Sequence, residues 1–200
     1  MPSSPPLSSV ALLIIDVIND FDFKEGHLLL QQATPIAKNI ASLKKEAKKA
    51  SIPVIYVNDN FGRWQSDQTK LSDYCLQQKG APFVKQVLPD EDDYFIIKPM
   101  HSAFFATPLS FLLHKMQVTT LMICGLAGNI CVLFSANDAF MRDYRLFVPR
   151  DCCASNIPED NERALLVMNH TLKATIDLSE HLHLPHMIQQ AQTNPKGPIL

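Results

Sequence analysis

The chain of 200 residues carries 18 basic and 20 acidic side chains and is 46% hydrophobic, which suffices for one domain with a sizeable core. Because the charges nearly cancel and basic residues cluster only at 44–49, the composition argues against nucleic acid or an anionic membrane as a partner. No apolar run near the start is long enough for a signal peptide or a membrane span, so a cytoplasmic protein is predicted.

The cysteines form no C-x-x-C pair and show no spacing typical of a metal site. They are Cys75, Cys124, Cys131, Cys152 and Cys153. Reduced thiols are therefore predicted, with no metal and no cofactor. The predicted organisation is a disordered tail over 1–9, one domain over 10–178 and a C-terminal extension over 179–200.

The first predicted element is a strand in the apolar run VALLIID at 10–16, a pattern typical of a strand covered on both faces. A helix is predicted over 34–50, because Thr34 and Pro35 match the cap-then-proline pattern of a helix start. The second strand is predicted at 52–58, and the polar segment that follows it gives no clear element.

The same alternation continues to the end of the domain. Further strands are predicted at 94–98, 119–124, 145–149 and 174–176, and helices at 107–117, 130–142 and 158–172. Parallel neighbours need crossover connections of helix length. The pattern therefore predicts an α/β fold of three layers, α/β/α, with a Rossmann-like six-stranded parallel sheet in the order 3-2-1-4-5-6.

Three reactive side chains fall at the carboxyl ends of predicted strands. Asp16 ends the first strand, Lys98 ends the third, and Cys131 begins the helix after the fourth. Each alone is more typical of a cap, a solvated lysine or a buried thiol. Together, at the edge where such sheets bind ligands, they form an acid, a base and a nucleophile. A helix start and a nearby cation would lower the thiol pKa from its ordinary value of about 8.5.

Three segments resemble the isochorismatase-like cysteine hydrolases: LLIIDVINDF (12–21), KPMHSAF (98–104) and GLAGNICVLFSANDAFMRDYRLFVPRDCCAS (125–155). The resemblance covers residues 10–178 and implies that this domain has a catalytic triad of Asp16, Lys98 and Cys131. It also implies a cis peptide between Leu126 and Ala127, with the N–H groups of Ala127 and Cys131 forming an oxyanion hole. Homo-oligomers, dimers or tetramers, are implied as well.

The chain departs from two branches of that family. Nicotinamidases bind a divalent metal through a D-x-H pair, whereas here Asp59 is followed by Asn60 and Phe61. A metal-independent enzyme is therefore implied. The branch that cleaves isochorismate lacks the cysteine, so Cys131 favours cleavage of a carbon–nitrogen bond.

Five loop residues are predicted to line the substrate pocket, although aromatic side chains in loops are more often packing or subunit contacts. They are Asn19, Phe21, Asn60, Trp64 and Phe104. Two other segments are assigned no site. The histidines of HLHLPHM (181–187) are predicted to lie in a mobile or interface segment, and DEDD (90–93) in a solvated loop.

The leading hypothesis is a cysteine hydrolase that cleaves a C–N bond of a small amide, carbamoyl or ureido substrate through a Cys131 acyl-enzyme. Two alternatives stay open at this point. One is vinyl-ether hydrolysis of the isochorismate type. The other is a family member that binds a small ligand or a partner without turning it over.

Overall fold

The computed structural model describes residues 6–62 and 67–193, so Trp64 lies outside the described residues. At the centre is a parallel sheet flanked by helices. Its strands are β1 (Val10–Ile15), β2 (Val54–Asp59), β3 (Tyr94–Lys98), β4 (Thr120–Leu126), β5 (Arg145–Phe147) and β6 (Cys153–Ala154).

The strand order is β3-β2-β1-β4-β5, and the short β6 pairs with the end of β4. Every pair is parallel, which confirms the predicted three-layer α/β fold. The sixth strand is a different segment from the predicted one. Residues 174–176 contribute a single bridge, from Thr175 to Phe147, because the chain there follows β5 for only one residue.

Seven helices lie between and after the strands in the part of the chain that the structure describes. They are α1 (Gly26–Lys49), α2 (Gln68–Cys75), α3 (Ala81–Val84), α4 (Leu109–Met116), α5 (Leu133–Phe140), α6 (Pro158–His170) and α7 (Leu184–Thr193). A π-helical turn, Gly128–Val132, leads into α5, and 3₁₀ turns lie at Arg150–Cys152 and Ser179–His181. None of the described helices is both long and apolar enough to cross a bilayer.

Helix α1 begins at Gly26, not at Thr34 as predicted, so Pro35 lies inside it. A proline there removes one backbone hydrogen bond and costs about 3 kcal/mol. The apolar face of α1 offsets that cost, since Leu29 and Ala33 before the proline and Ile40 after it are all buried. Thr34 does not cap a helix; its hydroxyl donates to the carbonyl of Leu30 at 2.8 Å.

The two central strands, β1 and β4, are buried along their whole length, as their continuous apolar sequences predict. Backbone contacts begin before the predicted boundary at residue 10, because the N–H of Ser8 already donates to the carbonyl of Met116 at 2.8 Å. At the other end, α7 buries Leu184, Met187 and Ala191. Part of the C-terminal extension therefore packs on the domain.

Candidate active site

The carboxylate, the ammonium and the thiol that the sequence singles out lie in contact. Lys98 Nζ is 2.8 Å from Asp16 Oδ2 and donates to Cys131 Sγ at 3.4 Å. Lys98 is fully buried and Asp16 is 6% exposed, whereas Cys131 is half-buried. One ammonium group thus contacts both an acid and a nucleophile, with the thiol on the more accessible side.

Three adjacent strand ends hold the two charged groups. The chain leaves β1 at Asp16, whose φ of 52° is left-handed, and Asp16 Oδ1 accepts a hydrogen bond from the N–H of Asp59 at 2.7 Å. Asp59 ends β2 and lies in register with Lys98 at the end of β3. The acid and the base are therefore fixed by backbone pairing rather than by mobile loops.

A glycine allows the strand that carries the nucleophile to approach β1. Gly125 has a φ of +122°, and a Cβ atom there would lie 2.1 Å from the carbonyl oxygen of Ile15. The next peptide bond, Leu126–Ala127, is cis. The carbonyl of Ala127 then accepts from the N–H groups of Ile130 at 3.0 Å and Val132 at 3.2 Å, which closes the π-helical turn around the thiol.

Burial dominates the electrostatics of the site. It raises the pKa of Asp16, and the positive charge of Lys98 opposes that shift without cancelling it. It also raises the pKa of the Cys131 thiol, helped by the negative charge of Asp16 and opposed by Lys98. For Lys98, burial lowers the pKa, but the negative charges of Asp16 and Cys131 outweigh burial and leave it raised.

These shifts correct the expectation that the helix start and the lysine lower the thiol pKa. The raised pKa means that the Cys131 thiol holds its proton more tightly than a free cysteine does. A thiol that must lose its proton during the reaction needs a base in contact with it. Asp16 hydrogen-bonds the thiol, and its raised pKa makes it a stronger base than an ordinary carboxylate.

One face of the helix that follows Cys131 fastens the loop that follows Lys98. Ser135 lies one turn after Cys131 and is fully buried. Its hydroxyl donates to the carbonyl of Cys131 at 2.6 Å and accepts from the N–H of Ala103 at 2.8 Å. The contact between Lys98 and the thiol is thus backed by a second link between the same two segments.

The same face continues through two charged residues. Asp138 accepts from the hydroxyl of Ser102 and, at 3.0 Å, from Arg142. Arg142 lies over the ring of Phe104, 4.9 Å from its centre. Sequence reasoning did not single out Ser135 or Asp138. Their spacing from the cysteine, four and seven residues on a helix, was the available signal.

A histidine stands on the open side of the thiol. His101 Nδ1 is 4.0 Å from Cys131 Sγ, and its ring centre is 5.7 Å from that of Phe134. Both His101 and Phe134 are exposed. His101 thus lies next to the sulfur on the solvent side. His101 was absent from the predicted site, although it lies three residues after Lys98 in the sequence.

The isochorismatase domain family matches residues 10–180 of this chain. The chain belongs to the isochorismatase family. It is 45% identical over 172 residues to the uncharacterized isochorismatase family protein YaaI of Bacillus subtilis (strain 168), covering 86% of this chain and 95% of YaaI.

Solved structures agree with that assignment. An isochorismatase family protein from Desulfovibrio vulgaris superposes with a TM-score of 0.71 at 26% identity, over 86% of this chain and 95% of that chain. A pyrazinamidase/nicotinamidase from Streptococcus mutans UA159 gives 0.67 at 29% identity, over 84% and 99%. The chain is therefore a hydrolase of the isochorismatase family.

Three of the residues predicted to line the substrate pocket of this isochorismatase-family hydrolase make packing or bracing contacts. Phe21 packs edge to face on Phe83, with ring centres 5.7 Å apart, and Phe104 lies 6.0 Å from Tyr144. Asn19 accepts from the N–H of Phe21 at 2.7 Å and braces that turn. Both phenylalanines thus belong to the core packing, and the predicted pocket role of each stays a prediction.

Asn60 differs because one atom of its side-chain amide has no hydrogen-bond partner among the described residues. Its Oδ1 accepts from the N–H of Gly62 at 2.8 Å, which fixes the orientation of the amide. Its Nδ2 is buried and has no hydrogen-bond partner among the described residues. Asn60 therefore has a donor available at the end of β2.

The residues do not fit a metal of the nicotinamidase type. Asp59 Oδ1 accepts from the N–H of Phe61 at 2.7 Å, and the Phe61 ring offers no ligand atom. Within residues 6–62 and 67–193, the one cluster of three metal-ligand side chains is Asp90, Asp92 and Asp93. That cluster instead surrounds Lys48 Nζ, at 2.7, 2.5 and 3.2 Å.

Proposed function

We propose that this chain is a metal-independent cysteine hydrolase that cleaves a C–N bond of a small amide, carbamoyl or ureido substrate. The observation that carries the proposal is the buried Lys98, whose ammonium lies 2.8 Å from Asp16 and 3.4 Å from the Cys131 sulfur. The similarity to a protein described as a pyrazinamidase/nicotinamidase, which acts on amides, supports the same bond type.

In the first half of the reaction, the proton of the Cys131 thiol moves to Asp16 as the sulfur forms a bond to the substrate carbonyl carbon. The carbonyl π pair moves onto the oxygen. When that pair returns, the C–N bond breaks, and the leaving nitrogen takes the proton from Asp16. The products of this half are a neutral amine or ammonia and a thioester on Cys131.

Water completes the cycle by the reverse proton path. Asp16 takes a proton from water as the water oxygen bonds to the thioester carbon. The C–S bond then breaks, the acid product leaves, and the proton on Asp16 returns to the sulfur. Lys98 stays protonated throughout and stabilises whichever of the two neighbours carries the negative charge.

The negative oxygen of each tetrahedral intermediate needs hydrogen-bond donors. We assign this role to the backbone N–H groups of Ala127 and Cys131, which flank the turn after Leu126. Losing one donor of this kind typically costs on the order of 3 kcal/mol of barrier.

The test is a panel of small amides, carbamoyl compounds and ureides assayed for ammonia release. Cys131→Ala is expected to abolish turnover of every active compound with no loss of fold. Cys152→Ala, which removes another thiol outside the site, is the matched control and is expected to keep turnover. Full activity in Cys131→Ala would refute the proposal, and pyruvate release from isochorismate would replace it with vinyl-ether cleavage.

Iodoacetamide separates the enzyme from a member that only binds a ligand. Cys131 is half-buried beside Lys98 and Asp16, whereas the other cysteines are buried. Peptide mass spectrometry is expected to find Cys131 alkylated first in the native protein. Because burial raises the pKa of this thiol, the rate is compared with that of Asp16→Asn, which lacks the base; an equal rate in both would favour the binding member.

Two further expectations accompany the proposal. A homo-oligomer, dimer or tetramer, is testable by size-exclusion chromatography with light scattering. Cytoplasmic residence is testable by fractionation of cells that express the full chain.

A further inference from the structure

A polar cavity lies at the opposite edge of the sheet from Cys131. It encloses about 320 Å³ beside the first residues of β4 and β5. Its polar lining comes from Thr119, Thr120, Asp143, Arg145 and Lys173, and Phe140 and Leu172 contribute apolar surface. A cavity of this size matches the lower range of small-molecule sites.

Two polar atoms at this cavity are buried without a partner. Thr120 is 1% exposed, and its hydroxyl has no hydrogen-bond partner among the described residues. The same holds for Nη1 of Arg145. Buried polar groups are nearly always paired in folded proteins, so each such group requires an explanation. A guanidinium nitrogen is the more demanding of the two, because it carries charge.

Strand register places these two side chains together. Thr120 and Arg145 are Cα partners in the parallel pair of β4 and β5, so their side chains project on the same face of the sheet. A hydroxyl and a guanidinium side by side are both hydrogen-bond donors. They can therefore donate to one shared acceptor that lies between them.

The charge around the cavity favours a negative ligand. Arg145 and Lys173 contribute two positive charges and Asp143 one negative charge. Arg145 forms no ion pair with any residue in 6–62 or 67–193, and Asp143 likewise forms none. Lys173 donates to the carbonyl of His170 at 2.8 Å, which leaves its charge uncompensated.

We propose that this cavity binds a small organic molecule through an oxyanion group, a carboxylate or a phosphate. The planar fork of Arg145 matches the geometry of either group, and the Thr120 hydroxyl supplies a further donor. The apolar walls of Phe140 and Leu172 accommodate the rest of the molecule. The inference is independent of the reaction at Cys131, because no residue of that site lines the cavity.

The test titrates the full-length protein with sodium phosphate and, separately, sodium acetate, with sodium chloride holding ionic strength constant. At about ten times Kd, the melting temperature of the wild type is expected to rise by about 3–5 °C with the anion that fits. Arg145→Met is expected to lose that rise. Arg150→Met removes an exposed arginine that is paired with Glu162 and is expected to keep it.

A second signature distinguishes a ligand site from a packing feature. Without added anion, Arg145→Met is expected to melt no lower than the wild type, because the substitution removes an unpaired buried donor. If Arg145→Met does not fold, Thr120→Val and Lys173→Met replace it, each with a weakened rise. A response to phosphate alone or to acetate alone identifies the anionic group. No rise with either anion, or the same rise in Arg145→Met, would overturn the proposal.

Discussion

Two clusters of lysine and aspartate in this molecule have similar ingredients and different consequences. At the carboxyl edge of the sheet, Lys98 is shared between Asp16 and the Cys131 thiol. At the junction of α1 with the loop before β3, Lys44 and Lys48 contact carboxylates and a backbone carbonyl, and Lys44 also lies over the Tyr56 ring. The first cluster holds a group that can react, and the second joins two segments of chain.

Burial explains the difference. It raises the pKa of Asp16 even though Lys98 is in contact. At the other cluster, hydrogen bonds from Lys48 lower the pKa of Asp90 and of Asp92, which face water. The same pair of residue types therefore yields a carboxyl with a raised pKa in one place and carboxylates with lowered pKa values in the other. The acidic loop is solvated at residues 90–92, as predicted, but the side chain of Asp93 is buried, with Lys44 Nζ 2.6 Å from it.

The largest effect on stability is expected at the buried cluster. Lys98→Met leaves Asp16 buried without its cation, and breaking such a pair costs about 3–5 kcal/mol of unfolding free energy. The double variant Asp16→Asn/Lys98→Met removes both charges and is expected to recover more than half of that loss. Urea unfolding gives the free energy of unfolding of both variants and of the wild type. A wild-type midpoint for Lys98→Met would show that the pair does not stabilise the fold.

The second prediction concerns pH. Because burial raises the pKa of Asp16, the folded protein holds that proton more tightly than the unfolded chain, whose carboxyl titrates near 3.8. Between pH 3.8 and the pKa of Asp16 in the folded protein, the unfolded state therefore binds fewer protons than the folded state. The free energy of unfolding falls as pH rises through that window. Asp16→Asn lacks this titration, so the stability of the wild type relative to the variant is expected to decrease with pH.

Asp92→Asn is the matched control with the opposite sign. Hydrogen bonding to Lys48 lowers the pKa of Asp92, so its contribution is present above the unfolded pKa and is lost as pH falls. The free energy of unfolding in urea is measured for the two variants and the wild type at about each pH unit from pH 3 to pH 7. The same slope for both substitutions would contradict the contrast between the clusters.

A smaller effect is expected where Ser135 links the helix after Cys131 to the loop that follows Lys98. Ser135→Ala removes both hydrogen bonds of the hydroxyl and loosens the contact of Lys98 with Cys131. Alkylation of Cys131 by iodoacetamide at fixed pH is expected to slow about fivefold, the equivalent of one hydrogen bond. Ser135→Thr keeps the hydroxyl and is expected to restore the rate.

Asn137→Ala is the control for that variant, since it alters an exposed side chain on the same helix and is expected to leave the rate unchanged. Continued protection of the buried cysteines shows that the fold is intact. A wild-type alkylation rate in Ser135→Ala would show that the link does not position Lys98.

The smallest effect is expected at the cluster of Lys44 and Lys48 with the acidic loop. Lys48 is partly exposed. When Lys48 is replaced, Lys44 still neutralises the charge of Asp93. Lys48→Met is therefore expected to cost about 1 kcal/mol or less, and less still at high salt. Lys49→Met, which breaks an exposed pair with Glu46, gives the reference for a surface lysine. A loss as large as that of Lys98→Met would remove the distinction between the clusters.

The parts of the fold set by local pattern were predictable from the sequence. Continuous apolar runs gave β1 and β4, because strands covered on both faces have no polar side to alternate. The rule for parallel sheets then placed Asp16, Lys98 and Cys131 at one edge, where the structure has them in contact.

Features that depend on long-range contacts were not predictable in this way. The cap-then-proline signal at Pro35 was misleading, since burial of the preceding turns extends α1 through it. Helix α2 begins after Asp67, whose carboxylate accepts from the N–H of Lys70, but its polar sequence gave no periodic signal. The pairing of Thr120 with Arg145 depends on strand register, which no local pattern specifies here.

Gly125 sets a limit on how the sequence of this enzyme could change. Any side chain at that position would collide with the backbone of Ile15 and force the two central strands apart. The damage would appear at Asp16, the first residue after β1, which would lose its place beside the thiol. A single methyl group at that position would thus separate the carboxylate from the thiol by geometry alone.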